Sequence, residues 1–280
     1  MKWRPIARKG AQVSVLAMLV AIPLLSMARI DFIQGTLCSF GTESWSVSCP
    51  LGVAQTSLAS RTLDAGLLLS GFAFIALAFV AGRVFCSWIC PQGFFSELGD
   101  KVHLAVRRVF KRPPPRPDTP AQYRRGQIFL YSFLGAGLVA SFVFGVPVFC
   151  YICPIGLISR AIVGSTYLGT VGSELLVVAI ILFVEVSFAR RGWCKYICPV
   201  GALYGACTTK RSLTVVRDAH ACVGCHTCER ECSMGNSPVD DRVGRTCTNC
   251  GDCVDVCPEA ALSQPLVQLG KKASAGVSPS

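Results

Sequence analysis

Between Cys222 and Cys257 the chain reads CVGCHTCERECS, a short spacer and CTNCGDCVDVC, so the pattern C-x2-C-x2-C-x3-C occurs twice. Thiolate is a soft ligand suited to iron, and this spacing serves cubane [4Fe–4S] clusters: three closely spaced thiolates grip one cube and the fourth is handed to the other. By that rule Cys222, Cys225, Cys228 and Cys257 hold one cluster, and Cys247, Cys250, Cys253 and Cys232 hold the second. Zinc also accepts paired C-x2-C, but four sulfurs complete its tetrahedron and further thiols in each run would lack a purpose. Ser233 follows Cys232 where proline is usual, a change that removes no ligand.

A second group of cysteines repeats differently. RVFCSWICPQG, from Arg83 to Gly93, matches RGWCKYICPVG, from Arg191 to Gly201. Residues four apart share a helix face, so Cys86 with Cys90 and Cys194 with Cys198 each offer two sulfurs in one direction. If the two helices are neighbours, the four converge on one site. Spacing alone leaves open a third cluster, a redox dithiol or a quinol pocket there. Four more cysteines fall in other loops: Cys38, Cys49 before Pro50, and Cys150 and Cys153 in FCYICPIG. Disulfides in an oxidising compartment are one reading, and an outward-facing redox or metal site is the other. Cys207 has no partner motif and is expected to pack.

The elements that must position these groups are apolar. Hydrophobic residues make up 52% of the 280 and charged ones only 15%, and the mean hydropathy is +0.51. Runs at 11–28, 66–85, 128–149 and 173–189 approach the roughly 20 residues that cross a bilayer. The net charge of +11 does not point to nucleic acid, because the bases flank these runs. They concentrate between the second and third runs and after the fourth, which by the positive-inside rule puts both termini in the cytoplasm. Glu97 to Phe110 has Leu98, Val102, Ala105, Val106 and Val109 at helical spacing, an amphipathic stretch that could lie on the membrane surface. No histidine falls within a run, which argues against bis-histidine haem in the membrane. Glu185 sits near the end of the fourth run; carboxylates at such depth are costly and often functional, so it is the candidate proton acceptor for quinol oxidation.

Four spans, C-x3-C-P after the second and the fourth, and a terminal double-cluster segment resemble the NapH/MauN family of ferredoxin-type membrane proteins. WCKYICPVGALYG, from Trp193 to Gly205, is the most specific part. The CcoG/RdxA group, linked to cytochrome oxidase assembly, is similar by the same parts at greater distance. The resemblance implies an all-α membrane protein: a four-helix transmembrane bundle over residues 1–205 and a small C-terminal α+β two-[4Fe–4S] ferredoxin domain over 206–264, followed by a disordered tail over 265–280. It implies a quinol dehydrogenase component of the bacterial inner membrane, with quinol as substrate and a periplasmic ferredoxin-type or cytochrome subunit as partner. It also gives Cys86, Cys90, Cys194 and Cys198 a part in electron transfer. The cysteines expected on the outer side depart from the family pattern. They leave room for a second reading, a maturation factor that sends electrons to a periplasmic metalloenzyme or disulfide.

Overall fold

The structure is a computed structural model. It describes residues 3–27, 34–36, 39–42, 45–62, 64–111, 117–167, 172–188, 190–209, 214–240 and 243–264. Cys38, residues 112–116 and the C-terminal tail lie outside them. Helix α1 (Trp3–Met27) starts among the N-terminal bases, well before Ala11, and continues through Pro23. A three-stranded antiparallel sheet follows, β1 (Gln34–Thr36), β2 (Ser39–Thr42) and β3 (Trp45–Ser48), with Phe40 opposite Gly35 and Val47.

Short helices then alternate with longer ones. After α2 (Pro50–Ser60), the Asp64 side chain accepts the Leu67 amide at 3.0 Å and starts α3 (Ala65–Ala81). Gly82, at a φ of 62°, ends that helix, a backbone conformation costly for any residue with a side chain. One turn, α4 (Val84–Trp88), leads into α5 (Pro91–Val109). A capping box of Thr119 and Gln122 starts α6 (Pro120–Phe144) by satisfying its first free amides. The chain continues through α7 (Val148–Ile152), α8 (Pro154–Tyr167), α9 (Glu174–Phe188), a π-turn at Trp193–Ile197, and α10 (Pro199–Cys207). Helix α5 packs on α9, α8 on α9, α2 on α3 and α6, and α10 on α3 and α6.

Among the described residues, Arg4–Ile22 of α1 and the whole of α6 are long and apolar enough to cross a membrane. The other two expected spans are helices in the expected places, but α3 has 17 residues and α9 has 15, short of the roughly 20 a crossing needs. Both are nonetheless apolar on their outer faces: Leu69 and Phe72 of α3 and Leu176 and Phe183 of α9 are exposed, as are Val139 and Phe144 of α6. Apolar surface of that extent calls for a non-aqueous neighbour.

In the C-terminal module, β4 (Val216–Arg217) pairs antiparallel with β5 (Leu262–Ser263), and two short helices, α11 (Thr227–Glu231) and α12 (Asp252–Asp255), lie between them in sequence. Val215, Cys228 and Leu262 form its core, with Cys247, Cys253 and Cys257 packed on them. The module sits directly on the helical domain. Ser87 Oγ donates to the Thr248 carbonyl at 2.6 Å, and Asn249 Nδ2 donates to the Ala81 carbonyl at 2.9 Å. Arg8, only 2% exposed, pairs with Glu97 at 3.0 Å and Asp252 at 3.1 Å. Arg190 grips Asp100 through two hydrogen bonds and donates to the Arg230 carbonyl at 2.9 Å. Bases that flank the apolar runs therefore also dock the module.

Candidate functional site

Two cavities in the module divide its eight cysteines. Cys222, Cys225, Cys228 and Cys257 line the first, of about 360 Å³. Cys232, Cys247, Cys250 and Cys253 line the second, of about 430 Å³. The division is crossed, each run giving three sulfurs to one cavity and its last to the other. Local backbone does the placing: left-handed residues His226 and Gly251 open α11 and α12, and Cys232 follows the end of α11. Among the described residues no three Cys, His, Asp or Glu side chains close around a point where one ion could sit. A lone tetrahedral zinc would draw its sulfurs to about 3.8 Å from one another, from its ~2.3 Å bonds. In a cubane each thiolate takes its own iron, so a wider four-thiol frame fits the iron–sulfur group better.

Burial pushes the Cys228 and Cys247 thiols up to about 11 and Cys250 up to about 12, and moves Cys253 further the same way. The exposed Cys225 is lowered, by hydrogen bonds from Thr227. Iron binding would therefore displace protons from these four sulfurs, which ties loading to proton release. His226 is no ligand here; its Nδ1 lies 2.8 Å from buried Glu229, which also accepts the Ser237 hydroxyl.

The helical domain builds its cysteines onto helix starts. Cys49, Cys90, Cys153 and Cys198 each begin a C-P-x-G string, and each stands just before α2, α5, α8 or α10. Proline suits a first helical position, where its missing N–H is no loss. The Gly52 amide donates to Cys49 Sγ at 3.1 Å, and the amides of Gly93, Gly156 and Gly201 act on the other three sulfurs in the same sense. Before the two longer motifs, the Cys90 amide reaches back to the Phe85 carbonyl at 2.9 Å and that of Cys198 to Trp193 at 2.8 Å. These five-residue π-type bonds turn the second cysteine inward. The motif at Cys153 is one residue shorter and closes on Phe149 instead, at 2.8 Å. The glycine is needed because the helix start folds over the first cysteine: a Cβ on Gly156 would lie 2.6 Å from the Cys150 carbonyl oxygen, and one on Gly93 would collide with that of Cys86.

One cavity of about 850 Å³ gathers Cys49, Cys86, Cys90, Cys153, Cys194 and Cys198, with Arg83 and Thr248 in its wall. The structure thus brings together the four cysteines of the two C-x3-C-P motifs. Cys49 and Cys153 line it as well, and Cys49 also lies within electrostatic reach of Cys153 and Cys150. Segment β3–α2 runs back alongside α3, with the Ser48 amide 3.5 Å from Ser70 Oγ and Val53 against Gly71, so Cys49 is carried inward. A short helix starting inside the domain leaves no periodicity that a span search detects. Cys150 is outside the cavity wall, its carbonyl accepting Arg160 at 3.0 Å. Every described cysteine is a free thiol, and Cys207 packs with Ala78 and Tyr204.

Glu185 is buried beside this site. Ser96 Oγ donates to it at 2.7 Å, the Trp193 amide at 3.0 Å, and Ser96 Oγ lies 3.6 Å from Cys194 Sγ. Its carboxylate holds the π-turn that carries Cys194, while neighbouring Arg190 is engaged with Asp100. Sequence reasoning missed Arg83 as a site residue; its signal was a base three residues before the first cysteine in both motifs.

A family model described as "4Fe-4S binding domain" matches residues 63–113, 127–164 and 171–207, all within the helical domain. The chain is 32% identical to "Ferredoxin-type protein NapH" of Escherichia coli, across 91% of this chain and 86% of that protein. It is 30% identical to "Methylamine utilization ferredoxin-type protein MauN" of Methylorubrum extorquens, across 95% and 78%. It is 28% identical to "Putative electron transport protein YccM" of Escherichia coli, across 91% and 73%. No solved structure matches.

Proposed function

The chain belongs to the NapH/MauN family of ferredoxin-type proteins, and from that premise we propose that it is an inner-membrane electron-transfer protein that oxidises quinol. Electrons would leave to a partner ferredoxin-type or cytochrome subunit on the periplasmic side. The observation that carries this reading is a row of cysteine-lined cavities. Cys228 of the first lies within electrostatic reach of Cys253 of the second, and Thr248 lines both the second and the cavity of the helical domain. Cys222, Cys225, Cys228 and Cys257 would hold one [4Fe–4S] cluster, and Cys232, Cys247, Cys250 and Cys253 another. When bound, such clusters supply one-electron redox chemistry, which suits a two-electron donor such as quinol.

The chain's own residues supply the setting. Exposed apolar faces on α3, α6 and α9 support four passages through lipid, and exposed Leu98, Val102, Val106 and Val109 support α5 lying against the membrane surface. Arg4 pairs with Asp255 at 3.8 Å and Arg8 with Asp252, so the start of α1 and the module share one side. With the placement of the bases, that supports two cytoplasmic termini. The test is addition of menaquinol to the anaerobically purified, oxidised protein, followed by EPR. Reduced-cluster signals are expected. Clusters that stay oxidised with quinol, even with partner extract present, would contradict the reading and favour a maturation role.

A further inference from the structure

We propose that Ser87 and Thr248 form the junction through which electrons pass between the module's second site and the helical domain, with the Thr248 hydroxyl donating to a sulfur of a bound cluster. This rests on the electron-transfer reading and on the match of the helical domain to a 4Fe-4S binding domain. What it adds is the pair of residues at which the two sites meet.

The contact itself comes first. Ser87 Oγ donates to the Thr248 carbonyl at 2.6 Å, across 161 residues of sequence, near the short end of the range for such bonds. Ser87 follows Cys86, and Thr248 follows Cys247. One hydrogen bond thus joins the neighbour of a helical-domain cysteine to the neighbour of a module cysteine. Arg8 also crosses between the domains, reaching the Cys250 carbonyl at 3.3 Å, but it leads to Glu97 and not to a cysteine.

The junction is also held rigidly. Ser87 is 1% exposed and Thr248 4%. The Ser87 carbonyl accepts Gln12 Nε2 at 2.7 Å, and Trp88, the next residue, donates its Nε1 to the Asn249 carbonyl at 3.4 Å. Gln264 Nε2 donates to that same carbonyl at 2.7 Å, and Asn249 Nδ2 fastens to Ala81. Both partners of the short bond are therefore pinned by their own neighbours.

Thr248 has, in addition, an unmet need. It lines both the second cavity of the module and the cavity of the helical domain. Its Oγ1 is buried and has no hydrogen-bond partner among the described residues. A buried hydroxyl left without an acceptor is costly. Both cavities that Thr248 lines are walled by thiols, and the anionic sulfurs of a bound cluster are acceptors of the missing kind. Hydrogen bonds to its sulfurs help set a cluster's potential, so the residue that links the two sites also tunes one of them. The crossing moves one electron at a time, with no bond made or broken: the site on one side is oxidised as the other is reduced. Quinol supplies the electrons in the proposed reaction, and dithionite supplies them in the test.

The test uses full-length protein, loaded anaerobically in detergent, mixed with dithionite and freeze-quenched for EPR. Dithionite meets the module first, at exposed Cys225, and the variant C86S/C194S identifies the helical-domain signal by its loss. Ser87→Ala is expected to lengthen the delay between reduction of the module signals and of the helical-domain signal, at unchanged iron content and midpoint potentials. Arg4→Gln removes an ion pair that joins the same two domains elsewhere and is expected to leave the delay unchanged. Thr248→Val has nearly the same shape without the hydroxyl and keeps the carbonyl that Ser87 grips. It is expected to lower the midpoint potential of one flanking cluster and leave that of the first cluster unchanged, a readout that does not depend on how Ser87→Ala folds. A wild-type delay in Ser87→Ala, or a delay lengthened equally in Arg4→Gln, would overturn the crossing. Unshifted potentials in Thr248→Val would overturn the role of the hydroxyl, and a helical domain with no cluster signal would overturn both. Dithionite replaces quinol throughout, so failure here and failure of the quinol reading are told apart.

Discussion

The module and the helical domain both present cysteines in tight strings, yet they assemble them by different means. In the module, three of every four thiols fall within seven residues, for instance Cys222 to Cys228, and left-handed turns at His226 and Gly251 set their directions. Local chain geometry nearly defines the cavity, and only one thiol per cavity crosses from the other run. In the helical domain no stretch supplies more than two of the cavity's cysteines. There the cavity exists only because four helix starts, spread from Cys49 to Cys198, meet. Thiol frames of the first kind tolerate loosening of the surroundings; frames of the second kind depend on tertiary packing.

Removing one ligand should show this contrast most strongly. Cys250→Ser should cost the module's second cavity its cluster, about four irons, while iron at the first is retained; equal loss from both would show that the crossed pairs form one unit. Arg8→Ala comes next. It leaves Asp252 without its cation and Glu97 with Arg191 alone, and breaking a buried pair costs up to about 3–5 kcal/mol. Hydrogen exchange around residues 250–255 should rise, with little change across α6. A smaller effect is expected from Gly93→Ala, whose Cβ meets the Cys86 carbonyl. Overpacking of this kind costs about 1–3 kcal/mol, seen as a lower melting temperature in detergent with the module's signals intact. Ser96→Ala should be mildest, about 1 kcal/mol for one lost hydrogen bond to Glu185. Its readout is loosening of the turn at Trp193–Ile197 by hydrogen exchange.

The same contrast explains how much could be read from the sequence. The eight-cysteine spacing implied the crossed sets, and the sets line separate cavities, because the information is local. The apolar runs marked where α1, α3, α6 and α9 would be, but not their ends: Gly82 stops α3 early, and Thr119 starts α6 among polar residues. Three of the cysteine–proline motifs were visible as repeats. The fourth, at Cys49, was hidden because Pro50-Leu51-Gly52 follows a β-strand rather than a long apolar run. Whether Cys49 and Cys153 lie outside or within depends on α2 and α8 packing back among longer helices, which hydropathy does not encode. Arg83 and Arg191 look alike in sequence and both are buried; what separates them is the Glu97 carboxylate 3.5 Å from Arg191. Cys49, Cys150 and Cys153, the thiols that leave room for a maturation role, lie within electrostatic reach of one another, and two of them also line the shared cavity.

The cysteine-lined cavities form one contiguous row, with the Cys232, Cys247, Cys250 and Cys253 set in the middle. EPR of the fully reduced full-length protein, compared with that of Cys250→Ser, tests it most directly. Spectra broadened by magnetic interaction between neighbouring clusters are expected, simplifying to isolated signals when the middle site is emptied. Independent signals in the wild type, unaltered apart from one missing component in the variant, would contradict it.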